Sequence, residues 1–350
     1  MSQTPDSSLR RQAPLWSRLD DGALLDVRLC DLKVSLTGTA LETRLARLRA
    51  DLDRKGLHRF RPHAWLSTEW FSPDGVPGIA MPFYLAHPRL IKLEQKQMLG
   101  VEGASESQCM RILRHEAGHA IDAGYRLHRR KRWRELFGSF TEPYPDFYQP
   151  KPGSRQYVQH LPYWYAQAHP AEDFAETFAV WLTPRQSWRQ RYATWPTALR
   201  KLEYVNDLMS EIVDQPPPVR CRRQVEPLSQ CRKTLGEHYR QRRLDYANDW
   251  PDFFDVDLHK LFSNDKRFAH RPTAASFLKG IRPDLRKIVA QWTGTHPYTI
   301  DQVLADMIDR CKELRLRLAM PQTQARTQAM MMVTVQTMNY MHSGHHRLAL

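Results

Sequence analysis

The chain has 350 residues, 41% of them hydrophobic, and carries 52 Lys and Arg against 38 Asp and Glu, a formal net charge of +14. That is enough apolar material for one large domain or two ordinary ones, while no apolar run reaches about 18 residues and no charged leader precedes an apolar core, so a membrane span and a secretory signal are not expected and the chain reads as cytoplasmic. Five scattered cysteines without a C-x-x-C pair argue against a zinc ribbon and a disulfide framework, and the excess positive charge favours acidic partners.

Residues 1–14 are polar and expected to be disordered. In 41–56, LETRLARLRADLDRKG, apolar residues recur at helical spacing and a glycine closes the segment, which predicts an amphipathic helix. Two extended segments follow, HAWLSTEW (63–70) and GIAMPFYL (78–85), separated by the turn-forming SPDGVPG. Ser105 with Gln108 reads as a capping box, and no proline interrupts the helix it would start before about Tyr125. Residues 138–170 are rich in proline and tyrosine and predict a long irregular excursion, ending in a second helix, AEDFAETFAVWL (171–182). DQPPPVR (214–220) reads as a linker or hinge, and 226–247, 272–292, 298–318 and 322–341 as helices. The expected architecture is α+β: a catalytic domain over 15–213 with a small sheet, a mainly helical region over 221–342 and a tail over 343–350.

The helix predicted from Ser105 carries His115-Glu116-Ala117-Gly118-His119, an H-E-x-x-H pattern. Two histidines one helical turn apart put both imidazoles within about 2.0–2.1 Å of one ion, and Glu116 beside them can reach a water without ligating the metal. A catalytic zinc site needs a third protein ligand. Asp122 and Tyr125 occupy the positions where a metzincin has glycine and its third histidine, which excludes that completion.

The second predicted helix offers one. Glu172 and Glu176 lie four residues apart on a helix whose other face is Phe174, Phe178, Val180 and Trp181, and two carboxylates on so apolar an element need a cationic partner. Zinc held by His115, His119 and Glu172 would be that partner, with Glu176 accepting a ligand histidine's ring N–H. Asp173 would take the ligand's place if the helix were rotated. Asp122, one turn beyond His119, is a candidate outer partner of the histidines, with capping or pairing to Arg126 as the alternative.

HEAGHAID followed by E-x-x-x-E on a later helix resembles the gluzincin branch of zinc peptidases. The pattern Y-x6-E-x-F-A-E-x-F is similar to the corresponding region of the anthrax lethal factor peptidase. Over a longer span, RHEAGHAIDAGYRLHRRKRW and WYAQAHPAEDFAETFAVWL resemble a bacterial family known as putative zinc-binding metallopeptidases. The resemblance implies a zincin-like fold with Zn2+ on His115, His119 and Glu172, Glu116 as general base for attack of water on a peptide bond, and Tyr165 as the phenol that stabilises the oxyanion. Tyr157, Tyr163 and His160 lie in the same excursion as Tyr165 and compete for that last role. The resemblance implies a peptide or protein substrate, the chain's charge favours an acidic one, and GIAMPFYL (78–85) is the sheet edge along which such a peptide could lie as an added strand, Pro82 suiting an edge position.

A basic run, RLHRRKRWRE (126–135), reads as a solvated helix end, with acidic peptide or nucleic acid as its functional partners. No aromatic spacing for base stacking and no nucleic-acid motif accompanies it. A catalytically silent zincin that binds peptides is the other alternative to an enzyme.

Overall fold

The computed structural model describes residues 14–145, 148, 151, 153–246 and 255–342. The expected disordered segment, apart from residue 14, and the tail 343–350 lie outside these.

The chain opens with a short helix, α1 (Asp21–Leu25), and then α2 (Ala40–Arg54), whose Leu41, Leu45, Leu48 and Leu52 form one buried stripe. Strands β1 (His63–Ser67) and β2 (Gly78–Pro82) follow and pair in parallel, His63 opposite Gly78 through Ser67 opposite Pro82. Both strands are shorter than predicted: Phe71 turns back to bridge Ala80 on the far side of β2, and residues 83–86 leave the strand as a 3-10 turn. Every residue of β2 is buried.

Helix α3 (Pro88–Met98) leads to α4 (Glu106–Tyr125), where the Ser105 side chain accepts the Gln108 N–H as the capping pattern predicts. Arg126 ends α4 in the left-handed region at φ 54°, so the basic run does not prolong that helix; it turns away and feeds α5 (Lys131–Phe137). The irregular excursion follows, then α6 (Pro170–Leu182), α7 (Trp188–Arg191) and α8 (Pro196–Ile212).

Helices α4 and α6 pack directly on each other, and Gly118 is what permits their approach: a Cβ there would sit 2.7 Å from the Ala175 Cα and 3.0 Å from its carbonyl oxygen. Around this pair gathers one continuous hydrophobic core, with α2, β2, α3 and α8 contributing buried residues.

Beyond α8 the segment 214–227 is strapped to this body rather than free as a hinge. Tyr125 donates to the Gln215 carbonyl, the Val219 N–H donates to Gly124, and Trp65 and Ser67 of β1 donate to the carbonyls of Val225 and Glu226. Helix α9 (Leu235–Tyr246) starts at Thr234, whose hydroxyl and backbone N–H exchange hydrogen bonds with Glu237, a capping box that delays the helix predicted from 226. Leu228, Leu235 and Tyr239 belong to the first core, so the division between the two buried clusters falls after them and not at 214–220.

The second cluster is built by α10 (Asp255–Leu261), β3 (Phe262–Ser263), α11 (Ala274–Thr293), α12 (Pro297–Glu313), β4 (Arg317–Leu318) and α13 (Gln322–His342). Pro283 lies inside α11 without ending it. The predicted helix over 298–318 stops at Glu313, and its last residues form the strand antiparallel to β3. Among the described residues no helix is long and apolar enough to cross a membrane.

Candidate metal centre

The α4–α6 contact brings the two halves of the predicted site together. His115 and His119 project from α4 one turn apart, and Glu172 comes from the first turn of α6, held there by the His169-Pro170 start of that helix. The three ligand atoms form a nearly equilateral triangle: His119 Nε2 lies 3.1 Å from His115 Nε2, His119 Nε2 3.1 Å from Glu172 Oε2, and His115 Nε2 3.1 Å from the same oxygen. Tetrahedral ligands about 2.1 Å from an ion stand about 3.4 Å apart, so this triangle fits a zinc-sized cation with little adjustment.

Hydrogen bonding fixes which imidazole nitrogen faces the centre. His115 Nδ1 lies 2.9 Å from Glu176 Oε1, and a carboxylate can only accept there, so Nδ1 carries the proton and Nε2 is left to face His119 and Glu172. Glu176 is itself anchored, its other oxygen accepting the Leu161 N–H at 2.8 Å. Glu176 therefore fixes the orientation of the His115 ring.

Charge makes the same demand for a cation. Burial disfavours an imidazolium at His115, but its contacts with Glu172 and Glu176 outweigh burial and raise its pKa well above the usual value. At His119 burial again opposes protonation and the Glu172 charge overrides it, raising that pKa too. Burial pushes the Glu172 carboxyl up, yet the two imidazoles, His119 foremost, hold it well below the ordinary carboxylate range. A buried pair of carboxylates with two imidazoles pulled positive is an arrangement that a divalent ion satisfies.

Glu116 is 5% exposed, and its Oε2 makes no hydrogen bond, while its backbone carbonyl accepts from Ser72. Burial raises its pKa, with the charges of His115 and His119 opposing. A buried carboxylate oxygen without a partner is costly and has room to take a proton.

Three sequence expectations resolve differently. Asp122 does not reach the histidines: it accepts the His128 backbone N–H at 2.8 Å, lies 2.6 Å from His128 Nδ1, and so seats that ring in a stack on Phe140 with centroids 4.1 Å apart. Its carboxylate forms no ion pair with Arg126 among the described residues; the Arg126 backbone N–H donates instead to the Asp122 carbonyl, closing the helix. Asp173 faces away from the centre into a 2.5 Å ion pair with the buried Lys201 of α8, which excludes it as a ligand in this rotation of α6; burial pushes its pKa up to about 7 against the pull of Lys201. Segment 78–85 cannot serve as an open edge for a substrate strand, because β2 is buried throughout and Phe71 occupies its outer side.

The tyrosines divide. Tyr165 lies beside His115, ring centroids 5.6 Å apart, and burial with the Glu172 charge raises its pKa well above the usual phenol value, so it stays a donor. Tyr157 instead lies over the Lys201 ammonium, 4.4 Å from its ring centroid, and His160 turns to the Arg111 carbonyl at 3.0 Å. The Tyr163 side chain lies outside the described residues.

Tyr144 is the participant that sequence reasoning missed. Its hydroxyl donates to Glu172 Oε1 at 2.8 Å, leaving Oε2 for the centre, and its ring stacks on His169 at 3.9 Å and 15°. Glu172 is 28 residues away in sequence, across an irregular segment, so no spacing rule links the two. Beside His119 a hollow of about 360 Å³ opens, walled by Ser72, Asp74, Arg126 and Phe140 among others.

Residues 109–212, less than a third of the chain, match a family model described as "putative zinc-binding metallo-peptidase". Comparison with curated proteins and with solved structures returned no match. The matched span contains every residue of the candidate centre.

Proposed function

We propose that this protein is a zinc-dependent peptidase of gluzincin type, with His115, His119 and Glu172 as ligands. The observation that carries it is the triangle of ligand atoms with its outer partners Glu176 and Tyr144, in a chain region that matches a zinc-binding peptidase family. A zinc ion there supplies Lewis acidity towards water and the scissile carbonyl.

The rest is the work of the chain's own groups. Glu116, its Oε2 unengaged and its pKa raised by burial, takes a proton from the attacking water and returns it to the leaving amine. Tyr165, kept protonated, donates to the oxyanion as charge develops. Glu176 and Tyr144 hold His115 and Glu172 in orientation. The hollow beside His119 receives a substrate side chain.

Zinc content and hydrolysis of a broad peptide library test the reading together. Wild type is expected to hold one zinc per chain and to cleave; Glu172→Ala loses the metal; Glu116→Gln keeps it but loses on the order of 10²- to 10⁴-fold in turnover. Zinc bound with no cleavage of any peptide would reduce the protein to a metal-holding scaffold.

A further inference from the structure

Towards the opposite end of α4 from the hollow beside His119 lies a larger cavity of about 580 Å³, within the range of about 300–1,000 Å³ usual for small-molecule sites. Such sites are normally apolar, and this one is not. Four arginines, Arg47, Arg111, Arg114 and Arg191, and His160 line it against one carboxylate, Glu106, and most of the remaining lining is hydroxyl and amide.

The ion pairs of these residues leave the cavity positive. Glu106 is already bound to Arg47. Arg114, 8% exposed, lies against Asp51, but that carboxylate is shared with Arg54, so one negative charge faces two guanidiniums. Arg191 is steadied by neutral acceptors, the Gln159 carbonyl at 3.2 Å and the Gln186 side chain at 3.4 Å. The Arg111 guanidinium makes no hydrogen bond or ion pair among the described residues, although Arg111 stands on the cavity wall. The first turns of α4 border the space as well, and the positive end of a 20-residue helix adds to the field.

We propose that this cavity is a binding site for a phosphoryl-bearing small molecule. Guanidiniums present paired N–H donors that match phosphate oxygens, and several of them converging without enough carboxylates to neutralise them favours a multiply charged oxyanion over a single carboxylate. The volume exceeds what one phosphate fills, leaving room for a second phosphoryl group or an attached organic part. None of the proposed zinc ligands lines the cavity, so this site stands or falls independently of the peptidase reading.

Titration calorimetry on the full chain at fixed ionic strength, with pyrophosphate, inorganic phosphate and succinate as probes, decides it. Saturable binding of one pyrophosphate per chain is expected, tighter than phosphate and much tighter than succinate. Arg111→Gln, at an exposed position with no partner to lose, weakens pyrophosphate binding roughly tenfold or more without lowering the melting temperature. The control Arg129→Gln/Arg132→Gln removes more charge elsewhere and leaves the affinity unchanged. Absence of saturable binding, an unaffected Arg111→Gln, or equal weakening by the control overturns the site; succinate binding as tightly as pyrophosphate overturns its ligand class.

Discussion

The two tyrosines near Glu172 are chemically alike and placed for different work. Tyr144 touches the Glu172 carboxylate, whereas Tyr165 lies against the His115 imidazole with its hydroxyl kept protonated. Removing the Tyr144 hydroxyl releases Glu172 Oε1, so Tyr144→Phe is expected to weaken zinc affinity about 10- to 100-fold, measured by chelator competition. Tyr165→Phe is expected to leave that affinity unchanged and lower kcat by about 10²- to 10³-fold, since an oxyanion donor acts only as charge develops. The reverse pattern would exchange their roles. That His115 shares a face with His119, and Glu172 with Glu176, was legible in the sequence because helical spacing fixes which side chains of one helix lie together. Tyr144 was not, because its contact depends on how an irregular segment folds back, and Asp122 was misplaced because His128, beyond the helix end, captures it.

Helix geometry explains residues that carry no chemistry. Gly118, between the two histidines, sets how closely α4 approaches α6, and with it the 3.1 Å triangle. An alanine there gains helix propensity of about 1 kcal/mol but drives its methyl into backbone that cannot step aside. Gly118→Ala is therefore expected to lower stability by about 1–3 kcal/mol net of that gain and to weaken zinc binding, read by denaturant titration and metal content.

Three helices share a start that the sequence reading passed over. His87-Pro88, His169-Pro170 and His296-Pro297 each place a ring Nδ1 as acceptor for the N–H two residues on, with proline as the first helical residue. Such a cap works only with a neutral ring. Burial and the Arg242 charge push His296 down to about 4 from an ordinary 6.5. The folded ring thus resists a proton that the unfolded chain accepts. Its contribution is complete above about pH 6.5, and falls as pH drops towards about 4, by no more than about 3 kcal/mol. Chemical denaturation across that window should show the loss, and His296→Asn, which keeps a capping acceptor without titrating, should flatten it.

At the scale of the molecule, two large buried clusters account for most of the core among the described residues, and the candidate centre lies on helices of the first. Leu304 is fully buried in the second. Leu304→Ala is expected to destabilise that half by about 2–5 kcal/mol while zinc content stays at its wild-type value; metal lost together with the second core would mean that the halves unfold as one.

What the sequence determined by itself was local and periodic: the capped helix that carries H-E-x-x-H, the second helix with two carboxylates on one stripe, and the small sheet before them. Those follow from spacing along a single element, where neighbours in space are neighbours in sequence. Tertiary structure decided what depends on elements meeting. It brought Glu172 to the two histidines across a glycine contact, turned Asp173 to Lys201, closed the outer side of β2 with Phe71, strapped the supposed hinge to the end of α4, and gathered four arginines around a cavity. No one-dimensional pattern encodes these contacts, because each partner is chosen by packing between segments far apart in the chain.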